Sequence, residues 1–161
     1  MLKIFNELTP FFEDVYREIS VREYSREVKI SPPTASKQLK ELEKEGLLLS
    51  NEKGIYIYFR ANREGFFFQQ LARLYWYSLL YPLTASLHEN INYKRIILFG
   101  SLSKAENTQK SDIDLFIDIE AKKIENIGLK KSLKREIQFH FRNALKNKDL
   151  KKNIEQGVII R

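Results

Sequence analysis

The sequence predicts an α+β chain built in modules: an N-terminal helical segment closed by a β-hairpin, a linking aromatic helix, and a small C-terminal α/β domain with a mixed sheet. Three observations lead there. Apolar residues recur at helical spacing through the first 45 residues and then switch to a period of two. Residues 63–81 crowd Phe, Tyr, Trp and Leu onto nearly every helical face. Charge is uneven: residues 1–60 hold 10 Lys and Arg against 10 Asp and Glu, residues 61–90 hold 2 against 2, and residues 91–161 hold 16 against 9. The last segment therefore carries the whole net charge of +7, and the modules are expected at 1–61, 62–90 and 91–161.

Composition narrows the function classes. At 43% hydrophobic and 30% charged, with 6 Gly and 4 Pro in 161 residues, the chain is globular rather than disordered or fibrous. The lack of Cys excludes a disulfide framework, a thiolate zinc site and a cysteine nucleophile, and two His, His88 and His140, are too few for a histidine-rich metal centre. Met1 to Phe12 contain Lys3 and Glu7 without an uninterrupted apolar core, which is unlike a signal peptide, so a reducing cytoplasm is the expected setting.

Taken in order, Ile4, Phe5, Leu8, Phe11, Phe12, Val15 and Ile19 mark a first amphipathic helix over residues 3–19, bent near Pro10. Val21, Tyr24 and Val28 mark a short second helix. Ser31 is placed to cap a third, with Pro32 at its first position, and Ala35, Leu39 and Leu42 form its buried stripe. That stripe puts Lys37, Lys40 and Lys44 on the opposite face, and Gly46 ends the helix. A hairpin follows, with strands at 47–50 and 55–59 around a turn at Asn51-Glu52-Lys53-Gly54. The aromatic helix, too interrupted by Gln69, Gln70 and Arg73 to span a membrane, is expected to end or kink at Pro82. Its apolar excess implies cover on two sides, either as a connector wedged between two domains or as a subunit interface, and a homodimer is expected. The basic part then alternates strands at 95–99, 113–119 and 137–141 with helices at 124–133 and 150–156, and closes on a strand at 158–160.

The first module resembles a winged helix-turn-helix domain, most specifically over Ile30 to Leu47. The resemblance implies that the third helix enters the major groove of duplex DNA and that the hairpin wing touches the flanking backbone. Thr34, Ser36, Lys37, Gln38, Lys40 and Lys44, with Lys53 at the wing tip, offer the hydroxyl, amide and ammonium groups that such contacts use. The module carries no net positive charge, so a protein-contact role is the alternative.

The sharpest pattern is Ile96-Ile97-Leu98-Phe99-Gly100-Ser101, ten residues, then Asp112-Ile113-Asp114-Leu115. Acids at i and i+2 of a strand point to one face and repel each other unless a cation joins them, and hard carboxylate oxygens suit Mg²⁺ or Mn²⁺. The pattern resembles the minimal members of the nucleotidyltransferase superfamily from about Tyr93 to Arg161. The resemblance implies that Asp112 and Asp114 hold the metal, that Gly100, Ser101 and Lys104 meet a nucleoside triphosphate, and that a nucleoside monophosphate passes to a hydroxyl of a protein or RNA acceptor. Such proteins often act as antitoxins beside a separate toxin, which is then a candidate acceptor. The family pattern also asks for a third carboxylate on the next strand. Here apolar neighbours align Gln138 with it, so either Glu136 substitutes as a catalytic acid or the site is impaired. Asp118 reads as surface and His140 as an ordinary, partly buried histidine. Two readings follow: a DNA-binding nucleotidyltransferase, or a transcriptional regulator whose impaired domain senses nucleotide or binds a partner.

Overall fold

A computed structural model of the chain describes residues 2–90, 92–120 and 135–161. It divides into two compact units, Met1–Ala72 with Ala105–Gln109, and Arg73–Lys104 with Lys110–Arg161. The fold is α+β, with helices and a small sheet in the first unit and a mixed sheet in the second.

The first unit runs α1 (Lys3–Glu13), β1 (Ile19–Ser20), α2 (Val21–Glu27), α3 (Pro32–Lys44), β2 (Leu48–Lys53) and β3 (Tyr56–Ala61), then into the start of α4 (Phe66–Asn90). Helix α1 passes through Pro10 and stops six residues earlier than its apolar spacing predicts. Asp14 Oδ1 accepts from the Tyr16 amide at 3.1 Å, and the Val15 amide donates to the Asn107 carbonyl at 3.1 Å. Those bonds take backbone groups that another helical turn would need. Ile19 then joins a strand, paired with Phe59 in an antiparallel sheet of order β1-β3-β2.

Ser31 caps α3 through the Thr34 amide, with Pro at the first helical positions, as expected. Its C-terminus is a Schellman closure: the Leu47 amide donates to Leu42 O at 2.9 Å and the Gly46 amide to Glu43 O at 2.8 Å, with Gly46 at φ +73°. The hairpin turn lies two residues later than expected. Lys53 pairs with Tyr56, so Gly54 and Ile55 form a two-residue turn, and Ile55 is 89% exposed rather than in the strand. Phe5, Leu8, Phe11 and Phe12 of α1 are buried, as are Tyr24, Leu39, Leu42, Phe59 and Phe68, and the Phe12 and Phe68 rings lie 5.3 Å apart.

In the second unit, α4 continues through Pro82 instead of ending there. Proline removes one backbone donor, but Leu80 and Thr84 on either side are buried and the Thr84 hydroxyl donates to Tyr81 O at 3.0 Å, which holds the turn in place. The sheet has order β6-β5-β4-β7. Strands β4 (Ile96–Phe99) and β5 (Ile113–Ile117) are antiparallel, β7 (Val158–Ile159) pairs antiparallel with β4, and β6 (Ile137–His140) pairs parallel with β5. Parallel pairing requires a crossover. The helix expected at 124–133 falls within that connection and lies outside the described residues.

Strand β4 is buried on both faces, which explains its unbroken apolar run, and β5 is buried except at Asp114. Ile97, Phe99 and Phe116 form one face, covered by Ile154 of α6 (Lys148–Glu155) with Leu145 and Leu150 beside it. A short α5 (Ser101–Lys104) and a 3₁₀ helix at Arg142–Lys146 complete the unit.

Candidate functional site

The second unit builds its site where β4 ends beside the start of β5. Phe99 is registered with Asp114, so the next residue, Gly100, turns beside the Asp114 carboxylate at φ +73°. A Cβ at residue 100 would overlap Asp114 Oδ2 and come within 3.2 Å of its Cγ. Glycine is thus favoured by the backbone conformation and leaves the Asp114 carboxylate its place. The turn is braced from within: the Ser103 hydroxyl donates to Gly100 O at 2.8 Å, and Arg73 Nε donates to Ser103 O at 2.8 Å.

Strand alternation brings Asp112 and Asp114 to one face, with Glu136, Gln138 and His140 on the neighbouring strand facing the same way. The pairing is diagonal. Asp114 is registered with Gln138, yet Gln138 Nε2 donates to Asp112 Oδ2 at 2.6 Å, and Asp114 Oδ1 instead meets His140 Nε2 at 3.2 Å. The His140 ring stands edge-on to Phe99, centroids 4.9 Å apart, so its position is held by packing as well as by the aspartate. Each carboxylate therefore has its own partner on β6.

Glu136 lies just before β6, and its carbonyl accepts from the Ile113 amide at 2.8 Å. Its side chain is exposed and makes no hydrogen bond or ion pair among the described residues. Ser101 opens α5 and is partly exposed, while the Lys104 ammonium donates to Asn153 Oδ1 of α6 at 2.7 Å. Asp118 differs from its surface reading: only 13% of its side chain is exposed, and it takes Arg142 Nε at 2.6 Å and Arg95 Nε at 3.6 Å. It ties the far end of β5 rather than serving the site.

Asp112 and Asp114 supply hard oxygens suited to a divalent cation. Among the described residues, no group of three or more His, Cys, Asp or Glu is spaced to hold one. The donor set fits a cation held by two carboxylates and completed by a ligand's phosphates, a common arrangement for Mg²⁺. It lacks the third carboxylate of a full protein cage.

On α3 of the first unit, Thr34, Lys37, Lys40 and Lys44 are exposed and Ser36 is partly so. Lys37 approaches Glu41 at 3.9 Å, whereas Lys40 and Lys44 form no ion pair among the described residues. Gln38 is turned inward, and its Oε1 lies 3.1 Å from the Tyr24 hydroxyl, which also reaches Glu7 O at 3.0 Å. Burial pushes the Tyr24 hydroxyl's pKa up, so it remains a donor. Lys53 is ion-paired to Glu18, and that bond, with the Asn51 amide, holds the Glu18 carboxyl below its ordinary value.

Residues 83–161 match the family model described as Polymerase beta, Nucleotidyltransferase, and residues 17–48 match the model described as Winged helix-turn-helix DNA-binding. The chain fuses a winged helix-turn-helix domain to a nucleotidyltransferase domain. No curated protein and no solved structure matches it. The nucleotidyltransferase match contains the Gly100 turn, both aspartates and all of β6, and the winged-helix match contains α2 and α3.

A cleft of about 630 Å³ in the first unit is lined by residues including Glu7, Glu13, Asp14 and Glu27 against Lys3 and Arg17, an acidic balance unsuited to a triphosphate. No helix among the described residues is long and apolar enough to cross a membrane. Ala105–Gln109, inside the ten-residue spacer, belong to the first unit. Asn107 is fully buried there, and its Nδ2 donates to Phe12 O at 2.8 Å and Glu13 O at 3.1 Å. A polar spacer carries no periodic signal that would reveal such an anchor.

Proposed function

We propose that this protein is a DNA-binding transcriptional regulator whose nucleotidyltransferase domain binds a nucleoside triphosphate, with Mg²⁺ or Mn²⁺ held by Asp112 and Asp114, and is impaired in turnover. The supporting observation is the 2.6 Å bond from the Gln138 amide to Asp112. An amide at the third acid position adds no negative charge to a cation site and accepts no proton from an attacking hydroxyl. On this reading Gly100 and Ser101 receive the phosphates, duplex DNA meets α3 and the wing, and nucleotide occupancy is the signal. Phe66 and Phe67, 75% and 60% exposed at the start of α4, support a homodimer.

The intact pair Asp112 and Asp114 beside Gly100 favours a second reading, nucleotide transfer. An acceptor hydroxyl of a protein toxin or an RNA would attack the α-phosphorus, the bond to the β-phosphate bridge would break, and pyrophosphate would leave. Glu136 is the candidate acceptor of the hydroxyl proton. The two readings part on one experiment: transfer of label from α-³²P nucleoside triphosphates with Mg²⁺ or Mn²⁺, with and without proteins encoded next door. The regulator reading expects metal-dependent binding without transfer, and a gain of transfer in Gln138→Asp. Transfer by the natural chain, abolished by Glu136→Gln, would establish the enzyme instead.

A further inference from the structure

We infer that Arg135 is a positioning residue for Asp112, acting from a platform formed by Trp76. Arg135 Nη1 donates to the Ser111 carbonyl at 2.6 Å, immediately before Asp112. Its guanidinium carbon lies 5.3 Å from the centroid of the Trp76 ring, and Trp76 is buried. The residue after Arg135 supplies the next tie, since Glu136 O accepts from the Ile113 amide at 2.8 Å. Asp112 thus sits between two backbone anchors that both come from the start of β6, and its side chain is received by a third group from the same strand, Gln138. The Ser111 bond holds the backbone immediately before Asp112, at the point where β5 has not yet begun.

The chemistry calls for arginine. A planar guanidinium stacks on an indole while its edge donates to a carbonyl, whereas a lysine ammonium has the charge without the plane or the fork. A partner that orients a ligating carboxylate is commonly worth about tenfold or more in affinity when removed. Trp76 is the sole tryptophan, so its emission reports on the surroundings of the ring that Arg135 packs against.

This inference rests on the reading of Asp112 as a ligand-holding carboxylate, and the test separates the two. The full chain and its Arg135→Lys and Arg135→Met variants are compared by NMR of the Gln138 side-chain amide without ligand, with the Ile113 amide as a check on the fold. Binding of the four ribonucleoside triphosphates with Mn²⁺ is then followed by Trp76 emission and calorimetry. Both variants are expected to lose the hydrogen-bonded Gln138 signal, to bind the preferred nucleotide about tenfold more weakly, and to lose the nucleotide-induced change in Trp76 emission. An unchanged Gln138 signal in either folded variant overturns the inference, as does full restoration by lysine. Should Arg135→Met unfold, Arg135→Lys carries the same comparison. Failure of the natural chain to bind any nucleotide would refute the proposed function, while the ligand-free Gln138 signal would still decide the role of Arg135.

Discussion

Gly100 lies so close to Asp114 that a Cβ on residue 100 would overlap the Asp114 carboxylate and force it to shift, and the backbone there is left-handed at φ +73°. Gly100→Ala is therefore expected to displace Asp114 as well as strain the turn. We predict a stability loss of about 1–2 kcal/mol, from the left-handed backbone alone, and a fall in cation-dependent nucleotide affinity beyond what that loss explains. Denaturant melts beside calorimetric titration would check it, and unchanged affinity would count against Asp114 as a ligand-holding group.

The Asn107 anchor predicts an ordering of variants. Its amide donates to two carbonyls in a fully buried setting, so Asn107→Ala removes both bonds and Asn107→Asp points a carboxylate at two carbonyl oxygens. Alanine should cost about 1–3 kcal/mol and aspartate more. Burial would raise the folded-state pKa of the new acid above its unfolded value, so its extra deficit should grow as pH rises through that window and shrink on acidification, when the protonated acid can donate again. Urea melts from pH 4 to 7 test both statements.

Lys29 closes α2 in a left-handed conformation, φ +58°, with the Ile30 amide donating to Ser25 O at 3.0 Å. Glycine is the residue that adopts this backbone without penalty. Lys29→Gly should raise stability by about 0.5–1 kcal/mol, as seen in the midpoint of chemical denaturation.

DNA affinity should depend unequally on the lysines. Lys40 and Lys44 form no ion pair among the described residues, whereas Lys53 is held by Glu18. Lys40→Ala with Lys44→Ala is expected to weaken binding and reduce the slope of log affinity against log salt by about 2. Glu18→Gln should strengthen binding by freeing Lys53. The lowered pKa of Glu18 keeps that tie at neutral pH and loosens it only as pH falls through the lowered value. Fluorescence anisotropy across salt and pH series reads all three; an unchanged salt slope would mean that the lysines form only a solvated face.

Much of this protein is set by local rules. Ser31, Pro32 and Gly46 delimit α3 through caps that involve neighbours a few residues away, and the short apolar run at 96–99 reads as a strand buried on both faces. Acids two apart on a strand must share a face, so Asp112 and Asp114 were legible as a pair. What tertiary structure decided depends on partners distant in the chain. The end of α1 is set by Asp14 and by Asn107, over ninety residues later; α4 survives Pro82 because packing outweighs one lost donor; the hairpin turn moves to Gly54-Ile55 through pairing along β2 and β3. The diagonal coupling of Asp112 with Gln138 and Asp114 with His140 arises across the parallel pairing of β5 and β6, and other long-range contacts take Lys104 to Asn153 and Asp118 to Arg142. Spacing reports which face a side chain takes along its own strand, whereas its partner across the sheet depends on how two strands joined by a crossover come together, which spacing along one strand does not contain.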